Sequence, residues 1–525
     1  MVLSGQEKKI FILLSILSFT VFTLTNDGHR YSFDEDVTQQ QSMWIATMTP
    51  DPRFVPGESQ LLFQYPEYFP NNDRVICKIG ILCSQVPIGS ALTQVPFILL
   101  NQNFNVITQD TVEFTTEDFN DQHYVFWRNS LSPDFTFLEL FYGPTFSALS
   151  VGLFFLISRT YSFSIKTSTI LSLLFAFSTS VWAYSQTSLN IVPVTFFILL
   201  GFYFFRKFLL SASHTNLIFS GIALGFGFLV RPDTIIYIIP LFTFLIFNFI
   251  KNSNKIKNLN KIKNMISFSL PLILSYILYL QLIRLALMTL ETPLGLPNAS
   301  SISGAPGQTV LFNIFALLFS PGVGLLIFCP ILFTIFLSYF DFFKKHKSEC
   351  FLFISFIVGI LFVYSNNISW HGLNAWTARY LITLIPFLLI PLGFSIENRG
   401  SKKFYSILIG LGFLGLIYNI SYIATDVSWF IWGLMGSGKG LYELGHVTQN
   451  LWVHPLVIWT FEYSQLTHAI RYLFLYFETN SYFKPDIYLL KVWGLYLYSI
   501  FFILPIGTLI YFIIKFNKKP KTVKI

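Results

Sequence analysis

Directly after the first apolar run, residues 10–25, the chain reads Asn26-Asp27-Gly28-His29-Arg30-Tyr31-Ser32-Phe33-Asp34-Glu35-Asp36, its densest cluster of ionisable groups beside an apolar run. A carboxylate placed where a helix leaves a membrane sits in a partly dry, low-dielectric setting. Its proton affinity rises there, which suits it to accept a proton from a hydroxyl as a general base. Asp27, at the mouth of the run, is the first candidate for that base. The competing reading is a solvated turn, because any loop leaving a bilayer begins with polar residues.

Composition decides the setting. The chain has 525 residues, 53% hydrophobic and 11% charged, with 61 Phe, against about 25% charged in a soluble protein. Apolar runs near the roughly 20 residues that a helix needs to span a bilayer recur along the whole length, so the expected class is an all-α polytopic membrane protein. A β-barrel would alternate in short segments instead. The net charge of +8 is scattered over short loops rather than gathered on one domain, which argues against a nucleic-acid partner. Four cysteines are too few for a disulfide framework. Cys77 and Cys83 share the first loop and could bridge, whereas Cys329 and Cys350 read as packing residues.

Twelve spans are expected: 10–25, 138–157, 167–184, 189–205, 217–230, 234–250, 267–290, 322–340, 351–364, 381–396, 404–424 and 487–514. The first reads as a signal anchor, since no small-x-small cleavage site precedes Asp27. The first loop, 26–137, is long enough to be functional. Within it 87–100 is apolar but too short to span, and reads as interfacial or re-entrant. The sequence divides into a transmembrane catalytic domain, 1–424, and a C-terminal part, 425–525. The latter holds a second long loop, 425–486, a last span and a basic tail.

Basic residues test the topology. With both termini cytoplasmic, the inside segments hold 22 of the 34 basic residues and 4 of the 26 acidic ones, 22 less 4 giving +18 and leaving −10 elsewhere. The four acids are Glu7, Asp341, Glu349 and Glu397. This is the positive-inside asymmetry. It puts the Asp27 cluster, Arg231-Pro232-Asp233, residues 366–380 and the loop 426–486 together on the extracytoplasmic side of a multi-pass cell-membrane protein. No repeat with a period of 20 to 50 residues and no inverted repeat is evident, which weighs against a secondary transporter.

Four segments carry a family resemblance. Asp27-Gly28-His29-Arg30-Tyr31 resembles the D-E-x-R-Y pattern that opens the first external loop of GT-C superfamily transferases, which use lipid-linked sugars. Among them are the aminoarabinose transferase of lipid A and the protein O-mannosyltransferases. Trp182-Ala183-Tyr184-Ser185-Gln186-Thr187 looks like their W-x-Y-S-Q-T. Phe319-Ser320-Pro321-Gly322-Val323-Gly324-Leu325 with Cys329-Pro330 looks like SPGxGLxxxxP. Trp370-His371-Gly372-Leu373-Asn374-Ala375-Trp376-Thr377-Ala378-Arg379-Tyr380-Leu381 looks like W-x-G-G-x-x-x-G-x-R-Y-L. Their shared order over roughly residues 20–400 is more specific than any one of them. The match departs at Gly28, where the family has an acid. That leaves open whether Asp34, Glu35 or Asp36 supplies a second carboxylate or is itself the base, or whether the chain is a non-catalytic relative.

The resemblance implies a donor whose sugar is linked to a polyprenyl or dolichyl phosphate, bound between helices, and a glycan, lipid or protein acceptor. Asp27, with Asp34 and Asp36, would form the catalytic set. Arg30, Tyr31, Arg231, His371, Arg379 and Tyr380 would bind substrate, with Arg379 and Arg231 on the lipid phosphate through paired charge-assisted hydrogen bonds. For those arginines the plainer reading is interfacial snorkelling; for His371, Trp370 and Trp376 it is the aromatic belt. Arg284, inside a span, must face protein or a cavity. The aminoarabinose and O-mannosyl branches imply no required cofactor, while the oligosaccharyltransferase branch leaves a divalent metal open. A flippase of lipid-linked glycans would need polar groups deep in the bilayer; a ligase or polymerase would use Arg471 and His468 of the later loop. Residues 433–440 nearly spell a phosphate-binding loop but end in Gly where Ser or Thr is needed, and His446, His454 and His468 lack metal-ligand spacing.

Overall fold

The computed structural model describes residues 4–28, 35, 38–39, 41–42, 45–46, 87–104, 136–251, 258–286, 310–367, 370–372, 376–399, 401–425, 455–479 and 487–517. All regular elements among them are helices: α1 (Gly5–Leu24), α2 (Ile88–Phe104), α3 (Thr136–Thr160), α4 (Ile165–Phe177), α5 (Val181–Tyr184), α6 (Ile191–Ser211), α7 (His214–Val230), α8 (Ile235–Lys251), α9 (Asn258–Ala286), α10 (Val310–Phe319), α11 (Leu325–Phe328), α12 (Ile335–Lys345), α13 (Lys347–Ser365), α14 (Ile385–Asn398), α15 (Lys402–Ile423), α16 (Pro455–Trp459), α17 (Gln465–Thr479), α18 (Tyr488–Phe501) and α19 (Ile503–Asn517).

Among the described residues eight helices are long and apolar enough to cross a membrane, so the fold is an all-α polytopic membrane protein. The count of twelve is not established by length. Other apolar helices, including α4, α7 and α10, are shorter, and α1 carries Glu7, Lys8 and Lys9 in its first turns. The segment Arg379–Asn398 lies at the centre, 94% buried, whereas Asn260–Gln281 lies at the rim, 17% buried, with its apolar side chains turned outward.

Three expected spans take a different form. The run 322–340 is interrupted: α11 stops before Pro330, Cys329 adopts φ −122°, ψ 71°, and a 3-10 turn leads into α12. Proline lacks the amide hydrogen and pushes its predecessor out of the helical region. Residues 167–184 divide into α4 and the single turn α5. The last run bends at Gly494, φ +68°. Segment 87–100, read as too short to span, is the body of α2, which carries Pro96 inside.

Between membrane helices close packing, rather than transfer out of water, holds the bundle together. Gly221 and Gly225 on α7 are spaced i, i+4 and let α9 approach. A Cβ at Gly221 would sit 2.5 Å from the Phe268 carbonyl, and one at Gly225 2.3 Å from Ser275 Oγ. Phenylalanines interlock elsewhere, with Phe202 edge-on to Phe387 at 5.0 Å and Phe353 at 5.5 Å from the same ring.

The bundle has two polar ends. At one, Arg159 pairs with Glu7 at 2.8 Å, Arg206 with Glu349 at 2.9 Å and Arg399 with Asp341 at 2.7 Å, while Glu397 accepts from the Ser164 amide. All four acids assigned to the inside segments are thus engaged at one end. The opposite end gathers the helix exits that carry the candidate site.

Candidate functional site

The turn between α4 and α6 organises the site. Three serine and threonine hydroxyls in it, on Thr179, Ser185 and Thr187, bond back to carbonyls three or four residues earlier. Such bonds offer the backbone an alternative to the helical ladder and shape the turn after α4. Side chains that point out of this turn reach the exit of α1 and the 370–380 segment.

Toward α1, Trp182 Nε1 donates to Thr25 Oγ1 at 2.9 Å, and Gln186 Nε2 donates to the Thr25 carbonyl at 2.7 Å. Asp27, two residues on, is 3% exposed. The amide of Gly28 donates to Asn26 Oδ1 at 2.8 Å, closing a short turn around Asp27. Two tyrosines from the C-terminal part complete this corner. The Tyr488 amide donates to the Asn26 carbonyl at 2.9 Å, and the Tyr498 hydroxyl donates to the Leu24 carbonyl at 2.9 Å. The sequence reading missed both, since nothing in the last run signals contact with the first helix.

Toward the first loop, Glu35 is 1% exposed and its Oε1 accepts from the Ser188 amide at 2.7 Å and hydroxyl at 3.1 Å. Gln94 of α2 donates to the Ser188 carbonyl at 3.3 Å, and Ser90 to the Val230 carbonyl at 2.9 Å. Helix α2 therefore joins the acidic corner to the exit of α7. Arg30, Tyr31, Asp34 and Asp36 lie outside the described residues, as do Cys77, Cys83, residues 433–440, His446 and His454, and the side chain of Arg284.

Toward the 370–380 segment, the Tyr184 hydroxyl donates to the Trp376 carbonyl at 2.8 Å. Trp370 and Trp376 are 0% and 2% exposed, and Trp376 packs on Phe328 and Tyr422 at 4.7 and 4.5 Å. They are packing residues rather than part of an interfacial belt. His371 is 1% exposed, and burial, with the Arg379 guanidinium adding to it, lowers its pKa from 6.5 to about 4. It is neutral at physiological pH and can act as a hydrogen-bonding group, not as a fixed cation.

The two arginines meet at one ring. Arg379 donates to the Tyr380 hydroxyl at 3.2 Å, with its guanidinium 5.1 Å from the ring centre; the Arg231 guanidinium lies 5.6 Å from the same centre. Tyr380 stacks on Tyr364 at 4.0 Å with 7° between planes. Arg231 is held by Asp233 on Nε and Nη2 (2.8 Å at the shortest), by Asn190 at 2.9 Å and by the Tyr364 hydroxyl at 2.7 Å. Tyr364 in turn bonds Asp233. Asp233 was legible as the carboxylate of an Arg-Pro-Asp tripeptide, but Asn190 and Tyr364 carried no local signal.

Asp27, Arg231, His371, Arg379 and Tyr380 thus occupy one end of the bundle, and the 178–188 turn bonds to Thr25, two residues before Asp27, and to Trp376, three before Arg379. Such an arrangement sets a buried carboxylate on one side of the turn and a cationic, aromatic wall on the other. Among the described residues no three His, Cys, Asp or Glu side chains come together as a metal site. Arg471 is exposed on α17, and His468 is half-buried there, with a pKa lowered by burial and by Arg471.

Residues 144–279 match the family model of dolichyl-phosphate-mannose-protein mannosyltransferases, a family of GT-C membrane glycosyltransferases. The matched stretch contains the 178–188 turn and the Arg231-Pro232-Asp233 exit; Asp27 and the 370–380 segment lie outside it. The match supports a membrane glycosyltransferase that uses a polyprenyl-phosphate-linked sugar. No curated protein matches the chain significantly.

Proposed function

We propose that the protein transfers a single sugar, a mannose or similar hexose, from a polyprenyl or dolichyl phosphate to an extracytoplasmic glycan, lipid or protein hydroxyl. The acceptor O–H gives its proton to the Asp27 carboxylate as the oxygen attacks the anomeric carbon. The bond from that carbon to the phosphate oxygen breaks, configuration inverts, and the lipid phosphate leaves with the electron pair. Positive charge at the leaving oxygens, from Arg379 with Arg231 behind Tyr380, counts most in the transition state, where the phosphate gains charge. Neutral His371 is suited to donate to a sugar or phosphate oxygen. The mechanism requires no metal.

The observation that carries this reading is the double attachment of the 178–188 turn, to Thr25 beside Asp27 through Trp182 and Gln186 and to Trp376 beside Arg379 through Tyr184. General-base chemistry needs its carboxylate and its leaving-group cation held in a fixed relation, since placement errors of about 1 Å cost about 100-fold in rate. A flippase has no use for that relation. Both termini are placed in the cytoplasm on the charge asymmetry, with the ion-paired end of the bundle on the same side.

The test is transfer from a panel of radiolabelled polyprenyl-phosphate sugars to membrane acceptors by purified protein. Consumption of one donor with labelled product supports the reading. Labelled lipid crossing the bilayer of proteoliposomes with no donor consumed overturns it in favour of a transporter.

A further inference from the structure

An arginine has five N–H donors. In Arg231 those on Nε and Nη2 go to Asp233 and Tyr364, and Nη1 reaches Asn190. A two-pronged grip on phosphate needs two parallel N–H groups on one edge of the guanidinium. The edge formed by Nε and Nη2 is filled by the Asp233 carboxylate, and one Nη2 hydrogen of the other edge is directed at the Tyr364 oxygen. The side chain is also only 12% exposed. Arg231 is therefore built into the protein as a donor to protein groups.

What it holds is the platform under Arg379. The Tyr364 hydroxyl lies between Arg231 Nη2 and the Asp233 carboxylate; its ring stacks flat on Tyr380; and the Tyr380 hydroxyl accepts from Arg379 Nη2 at 3.2 Å. The five residues come from three separate helix ends: that of α7 and the turn following it, the end of α13, and the turn leading into α14.

Resting on the proposed function, we infer that Asp233 and Arg231 are positioning residues. Together they lock the Tyr364–Tyr380 stack and so aim the guanidinium of Arg379 at the lipid phosphate.

The inference predicts the opposite sign from direct binding. If Arg231 gripped the phosphate, removing the competing carboxylate in Asp233→Asn would free its donors and leave carrier binding unchanged or tighter. As a positioning pair, the same substitution loosens it. The experiment measures the affinity of the purified full-length protein in nanodiscs for polyprenyl monophosphate. The variants are Asp233→Asn, Tyr364→Phe, Arg379→Ala and the doubles that combine Arg379→Ala with each of the first two. Tyr364→Phe keeps the stacked ring and removes only the hydroxyl, so it reports even where Asp233→Asn fails to fold. Asp233→Asn and Tyr364→Phe are each expected to weaken binding by about tenfold, as for loss of a hydrogen bond to a charged group, and neither should weaken it further in the Arg379→Ala background. Unchanged or tighter binding in Asp233→Asn, or effects that multiply in the doubles, overturns the inference and leaves the proposed function standing. Failure of the wild type to bind the carrier removes the proposed function and this inference with it.

Discussion

Trp182 Nε1 donates to Thr25 Oγ1 at 2.9 Å, across 157 positions of sequence, and both residues are at least nine-tenths buried. The bond ties the exit of the first helix to the turn that also holds Trp376 through Tyr184 and Glu35 through Ser188. The Asp27 corner and the arginine wall are therefore two arms of one bracket, and disturbing either arm should have its own kinetic signature.

Asp27→Asn keeps size and removes the proton acceptor. Transfer is expected to fall by about 100- to 10,000-fold, the usual worth of general-base catalysis, while affinity for polyprenyl phosphate stays at the wild-type value. Turnover and carrier binding measured on one preparation check this, with Asp34→Asn and Asp36→Asn alongside. Loss confined to Asp36→Asn would move the base into the loop. Glu35→Gln should cost stability instead, because Glu35 already accepts two hydrogen bonds from Ser188.

Gly28 departs from the acid of the D-E-x-R-Y pattern, and its geometry disfavours an acid there. Its φ is +75°, and a Cβ would meet the Tyr488 ring at 3.0 Å. Gly28→Glu, far from restoring the motif, should lower stability by about 1 to 3 kcal/mol from the left-handed backbone alone, and reduce transfer with it. Thermal unfolding of Gly28→Ala and Gly28→Glu, compared with Tyr488→Ala/Gly28→Ala, separates backbone strain from collision: relief of the collision should recover only part of the loss.

His371 gives a pH dependence with a definite sign. Its pKa falls from 6.5 to about 4 in the folded chain through burial and the neighbouring Arg379. The unfolded chain then binds the proton first. The contribution is fully present above pH 6.5 and is lost as pH falls toward 4, with a limit on the order of 3 kcal/mol. His371→Gln should flatten the fall in thermal stability between pH 7 and pH 4.5. An unchanged slope would mean that the imidazole is not buried neutral.

The sequence made the membrane class, the apolar helical runs and the grouping of polar exits at one end legible, because hydropathy and charge bias act on long stretches. It also picked out Arg231 and Arg379, which stand at helix mouths where a charge is conspicuous. It did not reveal that Arg231 is held by Asp233, Asn190 and Tyr364, that Trp376 packs against Phe328 and Tyr422, or that Tyr488 and Tyr498 brace Asn26 and Leu24. Each of those depends on which helices become neighbours, and periodicity carries no such information. The broken run at Cys329-Pro330 was readable from the proline, but the apolar composition on both sides masked it.

Trp182→Phe and Arg379→Ala then probe the two arms of the bracket separately. Phenylalanine fills most of the indole's space and lacks the donor, so Thr25 loses a partner and the α1 exit can shift against the 178–188 turn; a buried hydrogen bond and a partial cavity together are worth about 1 to 3 kcal/mol of stability. Because the carboxylate and not the phosphate wall moves, kcat should fall by about ten- to 100-fold with little change in carrier affinity. Arg379→Ala should do the reverse, weakening carrier binding by about 2 to 5 kcal/mol in the manner of a truncated buried charge pair, and lowering kcat only as far as the leaving phosphate loses its counter-charge. Steady-state kinetics with direct carrier binding resolve the two patterns. If Trp182→Phe loosened the carrier as much as Arg379→Ala does, the turn would act as one body with the phosphate wall, and Asp27 would be positioned by Tyr488 and Tyr498 rather than by Trp182.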